Sequence, residues 1–379
     1  MHYYEVYNRY PVTPVSAEGY RVRLDDGREV LDFYGGHAVV SIGHAHPRYV
    51  AAVREQVGRL GFYSNAVANP LQERLAALLG EVSGLGEYRL FLCNSGAEAN
   101  ENALKLAAWD TGRSRVLAFA RGWHGRTSGA VCVTDDPPIK SPVNRGIPTE
   151  WLPLNDLAAA EARIARGDLA AVIVEGIQGI GGIYVPDAAF LRGVAAACRA
   201  HGTCLVLDEI QSGYGRTGDF FAFQHAGPDV RPDVVSVAKG MGNGFPVGGI
   251  LVHPRLEARR GSLGTTFGGN HLACAAAIAV LEVLRDEGLV ANAREVGDYL
   301  LGALRQNPSL VDVRGRGLMI GFEVPEGRGP AIRKALLMGR DTFVGSAKNP
   351  DTVRLLPPLT VDRAACDELL GALAAELDA

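Results

Sequence analysis

Residues 204–218 read CLVLDEIQSGYGRTG. An apolar run, Cys204 to Leu207, ends in two adjacent carboxylates, Asp208 and Glu209, and then in a glycine-bearing turn. A short apolar run of this kind reads as a strand buried on both faces, the form taken by inner strands of a parallel sheet. In open parallel sheets, ligands lie beyond the carboxyl ends of the strands. An acid at that place needs a cation, a metal or a strong donor, because burying a lone carboxylate is costly. Taken alone, Asp208 reads equally well as the cap of the following turn.

Working outward, residues 47–253 alternate short β-rich runs with helical patterns. Strands are expected at Arg89–Cys93, Val116–Ala120, Ala130–Val133, Ala171–Val174, Cys204–Leu207, Val234–Ala238 and Gly248–Val252, with helices at Pro47–Leu60, Gly96–Trp109 and Ala188–His201. That alternation predicts an α/β fold, a large domain around a mostly parallel seven-stranded sheet. After Pro254 the pattern changes to helices at Leu272–Arg285 and Leu289–Gln306, strands at Leu318–Glu323 and Val353–Leu355, and a last helix at Arg363–Leu377. The expected organisation is an N-terminal segment (1–46) against a smaller α+β domain (254–379), with the large domain (47–253) between them in sequence.

A second charged strand end follows the first. In PDVVSVAKGMGNGFPVGG (residues 232–249) an apolar run ends in Lys239 before a glycine-rich turn. A lysine on a dry strand terminus has its ammonium form disfavoured, as a Schiff-base nucleophile requires, although a structural ion pair would also place it there. The third element, LFLCNSGAEANENALKLA (residues 90–107), reads as strand, turn and helix. Free N–H groups at Ser95, Gly96 and Ala97 suit an anion such as phosphate. The same residues also read as a capped helix, with Ser95 at the N-cap and Glu98 completing a capping box. Together, a lysine for an aldehyde, an anion cradle and an acid for a pyridinium nitrogen describe a pocket for pyridoxal 5'-phosphate.

Composition narrows the classes. The 379 residues carry 38 Lys and Arg against 42 Asp and Glu, a formal net charge of −4, which leaves no basic field for nucleic acid or an anionic membrane. No apolar run approaches a membrane span and the N-terminus has no signal-peptide pattern, so a cytoplasmic protein is expected. The six cysteines are scattered without a CxxC pair, which predicts reduced structural thiols and no zinc site. His44 and His46 in GHAHP lack companion ligands and read as turn and helix-start packing; no metal is expected.

The motif series resembles the class III, fold-type I aminotransferases, specifically the acetylornithine and succinylornithine aminotransferase group. It runs through LDFYGGHAVVSIGHAHP, NSGAEANENALKLA, GWHGRTSGA, VEGIQGIGG, LVLDEIQSGYGRTG, VAKGMGNGFPVGG, GTTFGGNHLACAAA and VRLLPPLTV, nearly the whole chain. The resemblance implies Lys239 as the Schiff-base lysine, Asp208 on the pyridine nitrogen, Gln211 near the phenolic oxygen and Ser95, Gly96 and Ala97 on the phosphate. It implies Trp123 stacked on the ring and Glu175 as an orienting residue beside it. Thr266 would reach the phosphate of a neighbouring subunit, hence a homodimer with shared active sites. Arg126 would grip the donor's α-carboxylate and Arg354 a carboxylate of 2-oxoglutarate or glutamate, with His124 a further candidate for contact with substrate or cofactor.

Three positions depart from that pattern. Trp123 stands where relatives usually carry phenylalanine. Ile180 stands where ornithine-type relatives carry a glutamate that masks the Arg354-like arginine, and Gly176 stands in place of a proline. The expected activity is transfer of the terminal amino group of an N-acylated ornithine to 2-oxoglutarate, as in arginine biosynthesis. The missing glutamate raises N-succinylornithine as a donor beside N-acetylornithine. The alternatives are another class III ω-aminotransferase, acting on ornithine, 4-aminobutyrate or a carrier-linked lysine, an aminomutase of the same fold, and a non-catalytic regulator that binds the cofactor. A nucleotide-dependent oxidoreductase is disfavoured because no strand leads into GxGxxG.

Overall fold

The computed structural model describes residues 1–377, whose strands gather into three sheets. Near the N-terminus, β1 (Pro14–Glu18), β2 (Arg21–Leu24) and β3 (Glu29–Asp32) form an antiparallel meander. The central sheet holds β4 (Arg89–Cys93), β5 (Arg115–Phe119), β6 (Thr149–Leu152), β7 (Leu169–Glu175), β8 (Cys204–Asp208), β9 (Val234–Val237) and β10 (Gly248–Val252). Their spatial order is β4-β10-β9-β8-β7-β5-β6. Strand β10 runs against both of its neighbours, and the other pairs are parallel. Residues after 310 add β11 (Val311–Arg316), β12 (Met319–Glu323), β13 (Thr342–Phe343), β14 (Gly345–Ser346) and β15 (Thr352–Leu355). Of these, β13 joins the first sheet beside β3, and the others form a third sheet ordered β11-β12-β15-β14.

Every residue of β7 and β8 is buried, which is why their sequences are continuous apolar runs and not alternating ones. The connecting helices cover the sheet with one apolar stripe each: Ala188–His201 buries Phe190, Leu191, Val194, Ala195 and Cys198. Helix Gly96–Thr111 is started by Ser95, whose Oγ accepts from Glu98 N at 3.2 Å, and is ended by Gly112 in the left-handed conformation, φ 69°. The Glu98 carboxylate accepts from Asn94 N and not from Ser95 N, so the reciprocal bond of a capping box is not made to the N-cap residue itself.

One expected strand is a helix. Residues Ser128–Cys132 coil into a short helix whose first N–H groups are met by Glu101, with Gly129 N donating to Oε1 at 2.7 Å. The seventh strand is instead β6, where Thr149–Leu152 pairs in parallel with β5 at the sheet edge. Its four residues are all half-buried, so no alternation announced it. No helix among the described residues is long and apolar enough to cross a membrane.

The C-terminal elements are joined to the loop that follows β8 through close backbone contact. An ideal Cβ on Gly297, in helix Leu289–Arg305, would lie 2.2 Å from the carbonyl of Gly317, and one on Gly317 would lie 2.5 Å from Thr217 C. Three segments thus meet with no room for a methyl group. Gly297→Ala is expected to destabilise the protein by about 1–3 kcal/mol through overpacking, read as a lower midpoint in thermal or urea unfolding. An unchanged midpoint would mean that the helix can slide away from Gly317 at no cost.

Candidate active site

Alternation along β8 answers the puzzle of its two terminal acids. Successive side chains of a strand point to opposite faces, so Asp208 and Glu209 part company. The Glu209 carboxylate is fully buried, accepting from Ser212 Oγ (2.7 Å), Ala222 N (3.0 Å) and Phe223 N (2.9 Å), and so anchors the 209–223 loop. Burial pushes its carboxyl up to about 7. The missing side chain at Gly176 leaves the space this carboxylate fills, since a Cβ there would lie 2.2 Å from Glu209 Oε1.

Asp208 faces a cavity of about 310 Å³ at the carboxyl ends of the strands. Its Oδ2 accepts from Asn100 Nδ2 at 2.7 Å and meets His124 Nδ1 at 2.8 Å, and its Oδ1 accepts from Ile210 N at 3.1 Å. Asn100 is itself fixed: its Oδ1 accepts from Ser236 Oγ at 2.6 Å, and its Nδ2 also donates to the His124 carbonyl. Each hydrogen bond to a carboxylate of this kind is worth about 1.5–3 kcal/mol, so the acid is held in one orientation.

Glu175 ends β7 directly beside Asp208 in the parallel register and therefore points to the same face. Its oxygens accept from Trp123 N (2.8 Å) and Gly179 N (2.9 Å). Burial, with the nearby Asp208 charge adding to it, pushes this carboxyl up to about 7. Lys239 follows β9 at φ 46°, a left-handed conformation costly for a lysine. Desolvation brings its amine down to about 8, against the pull of Asp208 and Glu175 in the other direction.

Lys239, Asp208, Glu175, Gln211, Trp123, His124, Ser95, Gly96 and Ala97, all expected site residues, line this one cavity. At its far end, Ser95, Gly96 and Ala97 open a helix, so their N–H groups have no intrahelical partner. Ile180 is also on the wall.

The other expected residues lie elsewhere. Arg354, on β15, is 1% exposed and stands behind Gln211, its Nη1 donating to Gln211 Oε1 at 3.2 Å. Arg126 is exposed, with its guanidinium 4.9 Å from the centre of the Trp123 ring. Thr266 is exposed, away from the cavity lining. Sequence reasoning missed Asn100 and Ser236. The available signal was a low-propensity asparagine on the alanine-rich face of a helix, beside Ala99, Ala103 and Ala107. It also missed Tyr34 and His37, whose hydroxyl and Nε2 share a 2.7 Å hydrogen bond near Arg354 and Lys239.

Comparison with known proteins decides the family. The class-III aminotransferase family model matches residues 3–377. The chain belongs to the class-III aminotransferases. It is 42% identical over 377 residues to an acetylornithine aminotransferase of Methanopyrus kandleri, covering 98% of this chain and 95% of that one. An acetylornithine aminotransferase of Bacillus subtilis is 39% identical over 368 residues, 95% of this chain and 93% of the relative. Among solved structures, an ornithine aminotransferase from Toxoplasma gondii superposes with a TM-score of 0.91 at 29% identity, covering 99% and 92% of the two chains. An acetylornithine aminotransferase from Elizabethkingia anophelis gives 0.85 at 27%, covering 99% and 96%.

This aminotransferase has the fold-type I architecture, a large sheet domain with a smaller α+β domain, and its cofactor is pyridoxal 5'-phosphate. The cavity's donor set fits that group: free N–H groups for a phosphate, a buried anion for a ring cation and an amine of lowered basicity for an aldehyde. The chain is thus an aminotransferase, and the relatives just described are named for acetylornithine or ornithine.

Proposed function

We propose that this aminotransferase moves the terminal amino group of an N-acylated ornithine to 2-oxoglutarate, giving an N-acyl glutamate semialdehyde and glutamate, as a step of arginine biosynthesis in the cytoplasm. The observation that carries the donor is the 42% identity to an acetylornithine aminotransferase over almost the whole of both chains. The six cysteines, all buried and free, suit a reducing compartment.

Pyridoxal phosphate supplies the aldehyde that takes the amino group and a ring that accepts electrons. The chain's residues do the rest. Ser95, Gly96 and Ala97 would hold the phosphate through backbone N–H groups. Asp208, oriented by Asn100 and His124, would keep the ring nitrogen protonated, and Trp123 and Glu175 would lie beside the ring. Lys239 would hold the aldehyde carbon between turnovers. Once freed, its neutral amine would take a proton from the donor's terminal carbon and deliver it to the former aldehyde carbon. Arg126, free of ion pairs among the described residues, binds the donor's α-carboxylate, and Arg354 the carboxylate of the acceptor.

A homodimer is part of this reading. Phe62, Tyr63, Val67 and Phe267 are all exposed, with the Phe62 and Phe267 rings 5.4 Å apart, beside the equally exposed Thr266. A second copy covering this patch would bring Thr266 to its partner's phosphate cradle.

The test is a single half-reaction followed through the cofactor's absorbance with N-acetylornithine, N-succinylornithine and ornithine. At least one acylated donor is expected to react about tenfold or more faster than ornithine, and the faster of the two assigns the acyl group. Free ornithine as the fastest donor would overturn the acylated reading in favour of the likeness to the Toxoplasma enzyme.

A further inference from the structure

Arg354 is a buried cation held only by neutral groups. Its Nε donates to the Ser346 carbonyl at 2.5 Å and its Nη1 to Gln211 Oε1 at 3.2 Å. No carboxylate among the described residues forms an ion pair with it. Glu175, whose charge reaches it, has its oxygens committed to Trp123 N and Gly179 N. Ile180, which lines the cavity with Gln211, has an apolar side chain with nothing to offer a guanidinium. Burying a cation without an acid is unfavourable and leaves it in want of an anion.

Gln211 is held as firmly as Arg354. Its Nε2 donates to the carbonyl of His37 at 3.0 Å. That carbonyl belongs to a turn in which Gly35, Gly36, His37 and Ala38 have φ of 56°, 56°, 67° and 65°, four consecutive left-handed residues. Such conformations are costly away from glycine and persist where surrounding structure enforces them. On the other side Gly179 makes room, since a Cβ there would overlap Gln211 Oε1 at 1.8 Å. The amide orientation follows from its neighbours: the oxygen must face the arginine and the nitrogen the carbonyl.

We infer that Gln211 is the neutral keeper of Arg354, holding the guanidinium while the amino donor reacts and yielding it to the carboxylate on the reacting carbon of glutamate or 2-oxoglutarate. This rests on the reading of Arg354 as the acceptor's carboxylate site. The keeper is an amide, so an arriving carboxylate displaces a neutral hydrogen bond and not an ion pair. Arg354 therefore stays available to any substrate with a carboxylate at the reacting carbon. The left-handed turn holds Gln211 in place for its return.

The experiment measures binding, by calorimetry on the cofactor-loaded enzyme. The ligands are glutarate, a dicarboxylate without an amino or keto group, and N-acetylnorvaline, a donor analogue without the reacting amine. Gln211→Glu replaces the neutral keeper with an ion pair and is expected to weaken glutarate about tenfold more than N-acetylnorvaline. Gln211→Ala removes the competitor, and glutarate is expected to bind at least as tightly as to the wild type. If both variants weaken both ligands alike, Gln211 is only structural and the inference falls. If Arg354→Ala leaves glutarate binding intact, the assignment of Arg354 as the acceptor's site fails, and the inference with it. If that variant loses glutarate while Gln211→Glu keeps it, only the keeper role is overturned.

Discussion

Lys239→Ala is expected to lower turnover by about 10⁴-fold or more, because it removes both the group that bonds to the aldehyde and the base that moves the proton. Activity and absorbance separate these losses. The variant should still take up pyridoxal phosphate, since Ser95, Gly96, Ala97 and Asp208 are untouched, but without the absorbance of the lysine-bound form. In the wild type, burial brings this amine down to about 8. Uptake of the cofactor should therefore quicken as pH rises through 8, where the neutral nucleophile becomes the major form. The sign is fixed by desolvation: an ion-paired lysine would show the rise only above its ordinary range. A Lys239→Ala enzyme that turns over at full rate would remove the lysine from the mechanism altogether.

Asp208→Asn should follow closely, with kcat lowered about 10²- to 10³-fold, on the scale of losing one preorganised electrostatic contact at a reacting centre. The amide keeps the shape but not the charge. It also inverts hydrogen bonding, because an oxygen that accepts from both Asn100 Nδ2 and His124 Nδ1 would be replaced in part by a donor. The variant is expected to bind pyridoxal phosphate more weakly and to show a changed pH dependence of the cofactor's spectrum, the signature of a ring nitrogen that no longer stays protonated. Wild-type kcat with an unaltered spectrum would show that Asp208 serves the fold alone.

The parts of this site that could be read in advance are those in which one strand carries its own message. Asp208 and Lys239 end apolar runs, and a charge at such a place is conspicuous. What holds them could not be read. Asn100 meets Asp208 across 108 residues and Ser236 meets Asn100 across 136, and no local pattern encodes such pairs. The Ala130–Val133 run looked like a strand because its residues are apolar and β-rich. Glu101, on a separate helix, supplies the acceptor that lets Ser128–Cys132 coil instead. The turn at Gly35–Ala38 was hidden for a different reason. Its left-handed path continues through His37 and Ala38, where a side chain argues against it.

Strand order has a consequence for how the enzyme comes into being. The phosphate cradle follows β4, whose sheet partner is β10, so Cys93 finds its register partner only at Gly248. During synthesis the strand leaving the ribosome early must wait, both edges unpaired, until most of the large domain has emerged. Pairings of such high sequence separation are slow to form, and unpaired edges are exposed to aggregation in the meantime. The cofactor pocket is consequently among the last features to assemble, and free pyridoxal phosphate can stabilise the finished chain by mass action but has nothing to bind on the nascent one.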